Sequence, residues 1–160
     1  MAAEKSEREK AQRVVADNRK AFHDYHVLET WEAGLVLLGT EIKAIREGRV
    51  NLRDSYARVE NGEVWLANVH ISPYSHSGYA SHEERRQRKL LMHKHEINKL
   101  TGLVREKGLT LVPLQLYFKN GRLKASLALV KGKQAHDKRE TIRRREVDRE
   151  TRAAVKARQR

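Results

Sequence analysis

Short apolar runs with a period near two dominate residues 21–130, whereas residues 131–160 carry only Ile142, Val147, Val155 and scattered alanines as apolar positions. The contrast predicts a β-rich body followed by a polar tail. AFHDYHVLETWEAGLVLL (21–38) is β-branched and aromatic, and a break at Ala33-Gly34 predicts two strands joined by a tight turn. Leu38, Ile42 and Ile45 then recur at i, i+4 and i+7, which predicts a short helix capped by Thr40 and ended by Gly48. Such a helix buries its isoleucines and leaves Glu41, Lys43 and Arg46 nearer the solvent. SYARVE-NG-EVWLANVHI (55–71) and LTLVPLQLYFK-NG-RLKASLALV (109–130) each set Asn-Gly between strand-like runs, as a type I′ hairpin turn requires. In the second hairpin Val112, Leu114, Leu116 and Phe118 are expected on one face, and Leu123, Ala125, Leu127 and Leu129 on another.

Between the hairpins, residues 71 to about 82 are rich in Ser, His and Gly and read as an exposed loop. The following stretch reads as a helix with Ile97, Leu100 and Val104 on one stripe and Gly108 as its stop. Residues 1–16 are polar, with a short helix expected around Gln12–Ala16. The fold class expected is mainly β with flanking helices, a small antiparallel barrel with a basic C-terminal tail. The divisions are a polar N-terminal segment (1–17), a body (18–133) and a tail (134–160).

Charge changes the picture from a fold to a partner. The chain holds 34 Lys and Arg against 21 Asp and Glu, a net charge of +13, and residues 131–160 hold twelve of the former against five of the latter. A polyanion is the expected partner, nucleic acid before a membrane. No segment approaches the ~20 apolar residues of a membrane span, and the tail lacks the apolar face of an interfacial helix. SEREKAQR gives no hydrophobic signal region, so a cytoplasmic location is expected. The absence of cysteine removes disulfides, thiolate metal sites and cysteine nucleophiles.

Eight histidines invite a metal or nuclease reading. Two residues apart on a helix, His93 and His95 would lie roughly 200° around the axis and could not share an ion. His23 and His26, three apart on a strand, would face opposite sides. No carboxylate pair and no phosphate-cradling glycine motif is present, so no catalytic residue, metal or cofactor is expected. What remains is basic and apolar: Asn18-Arg19-Lys20, and Arg85, Arg86, Arg88 and Lys89 leading into Leu90-Leu91. Each group taken alone also fits a solvated surface. Glu41 stands out as an acid in basic company, either paired with a neighbouring cation or accepting hydrogen bonds from base donors or sugar hydroxyls. In the tail, Arg143, Arg144 and Arg145 fan over roughly 200° of a helix, which suits an enclosing channel of phosphates. The plainer reading is a solvated tail adding nonspecific affinity.

NRKAFHDY (18–25), LLGTEIKAIREGRVNLRDSYARVENGEVWLANVHISPY (37–74), RQRKLLMHKHEINKL (86–100), GLTLVPLQLYFKNGRLKASLALVKGK (108–133) and DKRETIRRRE (137–146) together resemble the SsrA-binding protein family, also called small protein B. Departures are small: Ala44 and Ile45 stand where Ser and Leu are expected, and the tail favours Arg over Lys. The resemblance implies an oligonucleotide-binding-like barrel. It implies an adapter that binds the tRNA-like domain of transfer-messenger RNA and delivers it to stalled ribosomes, its tail entering the empty mRNA channel beside the small-subunit decoding region. It further implies a non-enzymatic role and a monomer off the ribosome. By the same resemblance Asn18, Arg19, Lys20, Glu41, Lys43, Arg46, Lys89, Leu90, Leu91, Lys131, Gly132 and Lys133 are expected at or near the RNA. His136, Asp137, Lys138, Arg139, Ile142, Arg143, Arg144 and Arg145 are expected to face the ribosome from a tail that is disordered free and helical when bound. The competing classes are a generic RNA chaperone and an RNA-processing enzyme with converged histidines. Discrimination between RNAs that survives elevated salt separates the adapter from the chaperone, and turnover of RNA would mark the enzyme.

Overall fold

The computed structural model describes residues 12–78, 81–106, 108–133 and 135–158, with side chains in the last segment from Arg139 onward. Among the described residues nine strands and four helices follow one another: β1 (Gln12–Asp17), α1 (Arg19–Asp24), β2 (Tyr25–Leu35), α2 (Gly39–Arg46), β3 (Val50–Asn51), β4 (Tyr56–Glu60), β5 (Glu63–Ala67), β6 (His70–Ile71), β7 (Arg88–Leu91), α3 (Lys94–Leu103), β8 (Leu109–Lys119), β9 (Arg122–Gly132) and α4 (Ala135–Arg158). Seven strands form one antiparallel sheet in the order β1-β8-β4-β5-β7-β2-β9, and β9 also pairs with β8. β3 and β6 form a separate two-stranded sheet.

Both Asn-Gly turns close hairpins as their sequence predicts. Asn61 and Gly62, like Asn120 and Gly121, take the paired positive φ of a type I′ turn, and Glu60 faces Glu63 while Lys119 faces Arg122 across them. Alternation then buries Val64 and Leu66 of β5, and Leu123, Ala125, Leu127 and Leu129 of β9, around a core shared with Ile45, Leu52, Leu90, Leu100 and Leu111.

β8 departs from simple alternation. A bulge at Leu114, between Pro113 and Gln115, flips the faces, because Pro113 has no N–H to give the ladder. Leu116 therefore joins the main core, whereas Val112 and Leu114 join Ala128, Val130 and Ala21 in a second cluster beneath α1. The expected single face from Val112 to Phe118 is divided in two. Asn18 satisfies the disturbed backbone: its N–H donates to Leu114 O (2.8 Å) and its Nδ2 to Pro113 O (2.9 Å).

Four other expectations are corrected. The helix foreseen near Gln12–Ala16 is strand β1, paired with β8, so the body begins N-terminal of residue 18; residues 1–11 lie outside the described ones. Residues 21–38 are not two strands with a turn at Gly34: they begin in α1 and continue as one eleven-residue strand. Gly34 marks a close approach instead, since a Cβ there would sit 3.4 Å from Leu91 Cβ. Helix α3 starts only at Lys94, and the Arg88–Leu91 run before it is a strand wedged between β5 and β2. Finally, Thr40 does not cap α2; the Leu38 N–H is taken by Glu41 Oε1 (2.9 Å), while Thr40 Oγ1 lies 3.1 Å from His82 Nδ1. Among the described residues no helix is long and apolar enough to cross a membrane.

Candidate nucleic-acid interface

Strand periodicity places Arg122 and Lys124 on the face of β9 opposite the buried Leu123 and Ala125. On α2 the same logic of sidedness buries Ala44 and Ile45 and leaves Arg46 outside, its guanidinium 5.7 Å from the Phe118 ring centre. Between them lies a groove of about 310 Å³ lined by Gly34, Leu35, Ile42, Leu91, Phe118 and Leu123 together with these three cations. Leu91 is 52% exposed at its edge. Among the described residues none of Arg46, Arg122 and Lys124 is in an ion pair, though the Glu32 carboxyl feels the charge of Lys124, and no acid lines the groove. An apolar floor that can meet base faces, rimmed by cations that can meet phosphates, is the chemistry of single-stranded or unstacked RNA recognition.

A second basic region lies at the other end of β9, roughly 30 Å away at about 3.3 Å per residue. Lys131 is exposed there. Lys133 donates its backbone N–H to Asp24 O (2.9 Å) and its Nζ to Phe22 O (3.1 Å) and Thr141 Oγ1 (3.0 Å), tying α1 to the start of α4. Gly132 ends the strand with open space around its Cα. Arg19 is exposed on α1. Lys20 is ion-paired to Asp54 at 2.6 Å, a contact that holds the Asp54 carboxyl below its usual range.

Three residues expected to face RNA are taken up by the protein itself. Asn18 is buried as the cap of α1, accepting the Ala21 N–H at Oδ1 (3.3 Å). Leu90 is a core residue, as strand alternation requires once Leu91 points outward. Glu41 is 0% exposed rather than near the solvent, and its two oxygens accept from the Leu38 N–H, Arg86 Nη2 and Arg88 Nε (2.6 Å). Burial pushes its pKa up, but the donors from Leu38, Arg86 and Arg88 outweigh that and hold it below the usual carboxylate value. Arg88, also 0% exposed, spends its remaining donors on Val69 O (2.7 Å), Glu83 O and Glu84 O. The cationic edge foreseen at 85–89 is thus partly interior: it locks α2 to β7 and to the segment before it.

Lys89 is paired with Glu63 (3.0 Å), and Lys43 Nζ lies 5.4 Å from the Tyr74 ring centre. In α4, Arg139, Ile142, Arg143, Arg144 and Arg145 are all exposed, and Arg144 pairs with Glu140 at 2.8 Å. The side chains of His136, Asp137 and Lys138 lie outside the described residues. No group of three or more His, Cys, Asp or Glu among the described residues could hold a metal. Sequence reasoning missed Arg122 and Lys124. Their signal was the Arg-x-Lys alternation directly after Asn120-Gly121, which sets both on one strand face.

The model of the SmpB protein family matches residues 15–157. The SsrA-binding protein of Carboxydothermus hydrogenoformans is 59% identical over 147 residues, spanning 92% of this chain and 99% of the relative. That of Geobacillus kaustophilus is 58% identical over 147 residues, with 92% and 95% covered. A solved chain described as "tmRNA-SmpB: a journey to the center of the bacterial ribosome" superposes with a TM-score of 0.66 at 51% identity, covering 80% of this chain and 94% of that one.

Proposed function

The chain belongs to the SmpB protein family, and we propose that it binds the tRNA-like domain of transfer-messenger RNA and carries it to stalled ribosomes as a non-catalytic, cytoplasmic adapter, monomeric until it reaches them. The observation that carries this reading is the placement of cations outside ion pairs. They gather at the groove of Arg46, Arg122 and Lys124, and again along α4, where among the described side chains only Arg144 is ion-paired, to Glu140.

In this division the groove, with Leu91 at its edge, receives RNA, and Arg19, Lys131 and Lys133 extend the basic surface around α1. Glu41 acts as a positioning residue, fixing α2 against β7 so that Lys43, Arg46 and Leu91 stand where RNA meets them. The strand circuit β4-β5-β7-β2-β9-β8, returning to β4 through the pairing of Ala57 with Leu111, reads as a small closed barrel of oligonucleotide-binding type. Helix α4 spans about 36 Å at 1.5 Å per residue. Its arginines are distributed around the axis, so walls of phosphate on several sides can each find a partner. Off the ribosome its few apolar residues cannot offset an ordering cost of roughly 1–2 kcal/mol per residue, so the helix exchanges with coil until the mRNA channel encloses it.

The test is to isolate the untagged protein from its own cells and sequence the RNA that accompanies it. Transfer-messenger RNA strongly enriched over total RNA, and retained in a salt wash that strips other RNAs, is the expected result. A broad sample of cellular RNA would instead mark a chaperone, and would overturn the adapter reading.

A further inference from the structure

The HKH run opening α3 was expected to hold its two histidines on opposite sides of a helix. The structure differs because His93 precedes the helix in extended backbone, φ −65° and ψ 144°, and only His95 lies in the first turn. Both ends of this step are fixed: the His93 N–H donates to Glu96 Oε1 (3.2 Å), and its carbonyl accepts from the Ile97 N–H (3.1 Å). The two imidazoles consequently stack, with centroids 5.6 Å apart and planes 13° from parallel, and both residues are exposed.

We propose that the stacked imidazoles of His93 and His95 are a platform on which one unpaired nucleobase of the bound RNA rests, an inference that builds on the RNA-binding reading above. Parallel rings do not converge their nitrogens on a common point, and no third metal ligand joins them among the described residues. A π-stack with an exposed outer face is instead extended by a further flat ring, and every base supplies one. Lys94, between the histidines, is exposed with no ion-pair partner among the described residues and offers a cation for the adjoining phosphate. The platform also adjoins the groove: His93 is two residues beyond Leu91, at most about 7 Å along an extended chain.

The experiment follows the ring-proton resonances of His93 and His95 in the full chain, first with a single-stranded adenosine pentanucleotide and then with the tRNA-like domain. Stacking of a base predicts upfield ring-current shifts of the His95 protons, saturable in both titrations. His95→Ala should weaken binding of the tRNA-like domain about fivefold, near the lower end for loss of one stacked base. His95→Phe should restore it, and an abasic substitution at one loop nucleotide should erase the difference between wild type and His95→Ala. Unshifted His95 resonances in both titrations, or unchanged affinity of His95→Ala, would overturn the platform. If the pentanucleotide shifts the resonances but the wild type does not select the tRNA-like RNA, the platform stands and the adapter reading falls.

Discussion

Glu41 and Glu140 each bind an arginine, and the two pairs differ in nearly everything else. Glu41 and Arg88 are fully buried, joined by Arg86, and every oxygen of the carboxylate is occupied. Glu140 and Arg144 stand on α4 with side chains 57% and 77% exposed. The buried pair is interior architecture, whose guanidinium is unavailable to RNA because the protein's own carbonyls have consumed its donors. The exposed pair is a surface accident of helical spacing, and the arginines around it remain available to a partner. A basic residue in this chain therefore cannot be assigned to RNA by its charge; the acids and carbonyls that reach it decide.

Glu41→Ala is expected to do the most damage. It leaves Arg88 charged and uncompensated in the interior, at a cost of roughly 3–5 kcal/mol. The denaturant midpoint should fall accordingly, with RNA affinity lost largely through the fold. Because Glu41 is held below its ordinary value of 4.5, its contribution is complete above that pH. It is lost as acid carries the solution down through the lowered pKa. Stability of wild type should thus decline below about pH 4.5, and Glu41→Ala should flatten that decline. An unaltered midpoint in Glu41→Ala would place the carboxylate outside the buried network.

Ile142→Pro comes next, since proline within α4 costs about 3 kcal/mol of helix without touching a charge. Tagging on stalled ribosomes should collapse while affinity for the isolated tRNA-like RNA stays unchanged. Amide exchange in the free wild type should show little protection across 139–158; strong protection, or full activity of the proline variant, contradicts a helix that forms on arrival.

Replacing Arg122 and Lys124 together by alanine tests the groove. If both meet phosphate, the dependence of log affinity on log salt should become shallower by roughly 1.5, with stability untouched because both side chains point away from the core. An unchanged slope would move the RNA elsewhere on the surface. Glu140→Ala should be nearly silent, within about 0.5 kcal/mol in a denaturant titration. That silence, beside the loss at Glu41, measures the contrast between the two pairs.

Much of the fold was legible locally. Asn61-Gly62 and Asn120-Gly121 specify their hairpins through φ alone, and β9 wears its alternation openly. The bulge at Leu114 was hidden because Pro113 only signals that a ladder bond is missing, not which way the chain kinks. The placement of Arg88 was hidden for a different reason: its burial depends on Glu41, 47 residues away, and no spacing rule spans that interval. The motifs NRK, GTEIKAIREG and RKLL single out short segments, yet within each the member that faces outward is a tertiary matter. Leu91 is outside and Leu90 inside because β7 pairs with both β5 and β2. Arg122 and Lys124 escaped notice as two cations among many.

In the adapter proposed above, the body binds the RNA and the tail acts only at the ribosome. A chain ending at Gln134, titrated against the isolated tRNA-like domain beside the full chain at two salt concentrations, tests it most directly. Affinities within about threefold are expected at moderate salt, because the neutralised phosphates that set affinity lie on the body, together with complete loss of tagging on stalled ribosomes. Loss of binding to the isolated RNA on truncation would contradict the division between body and tail.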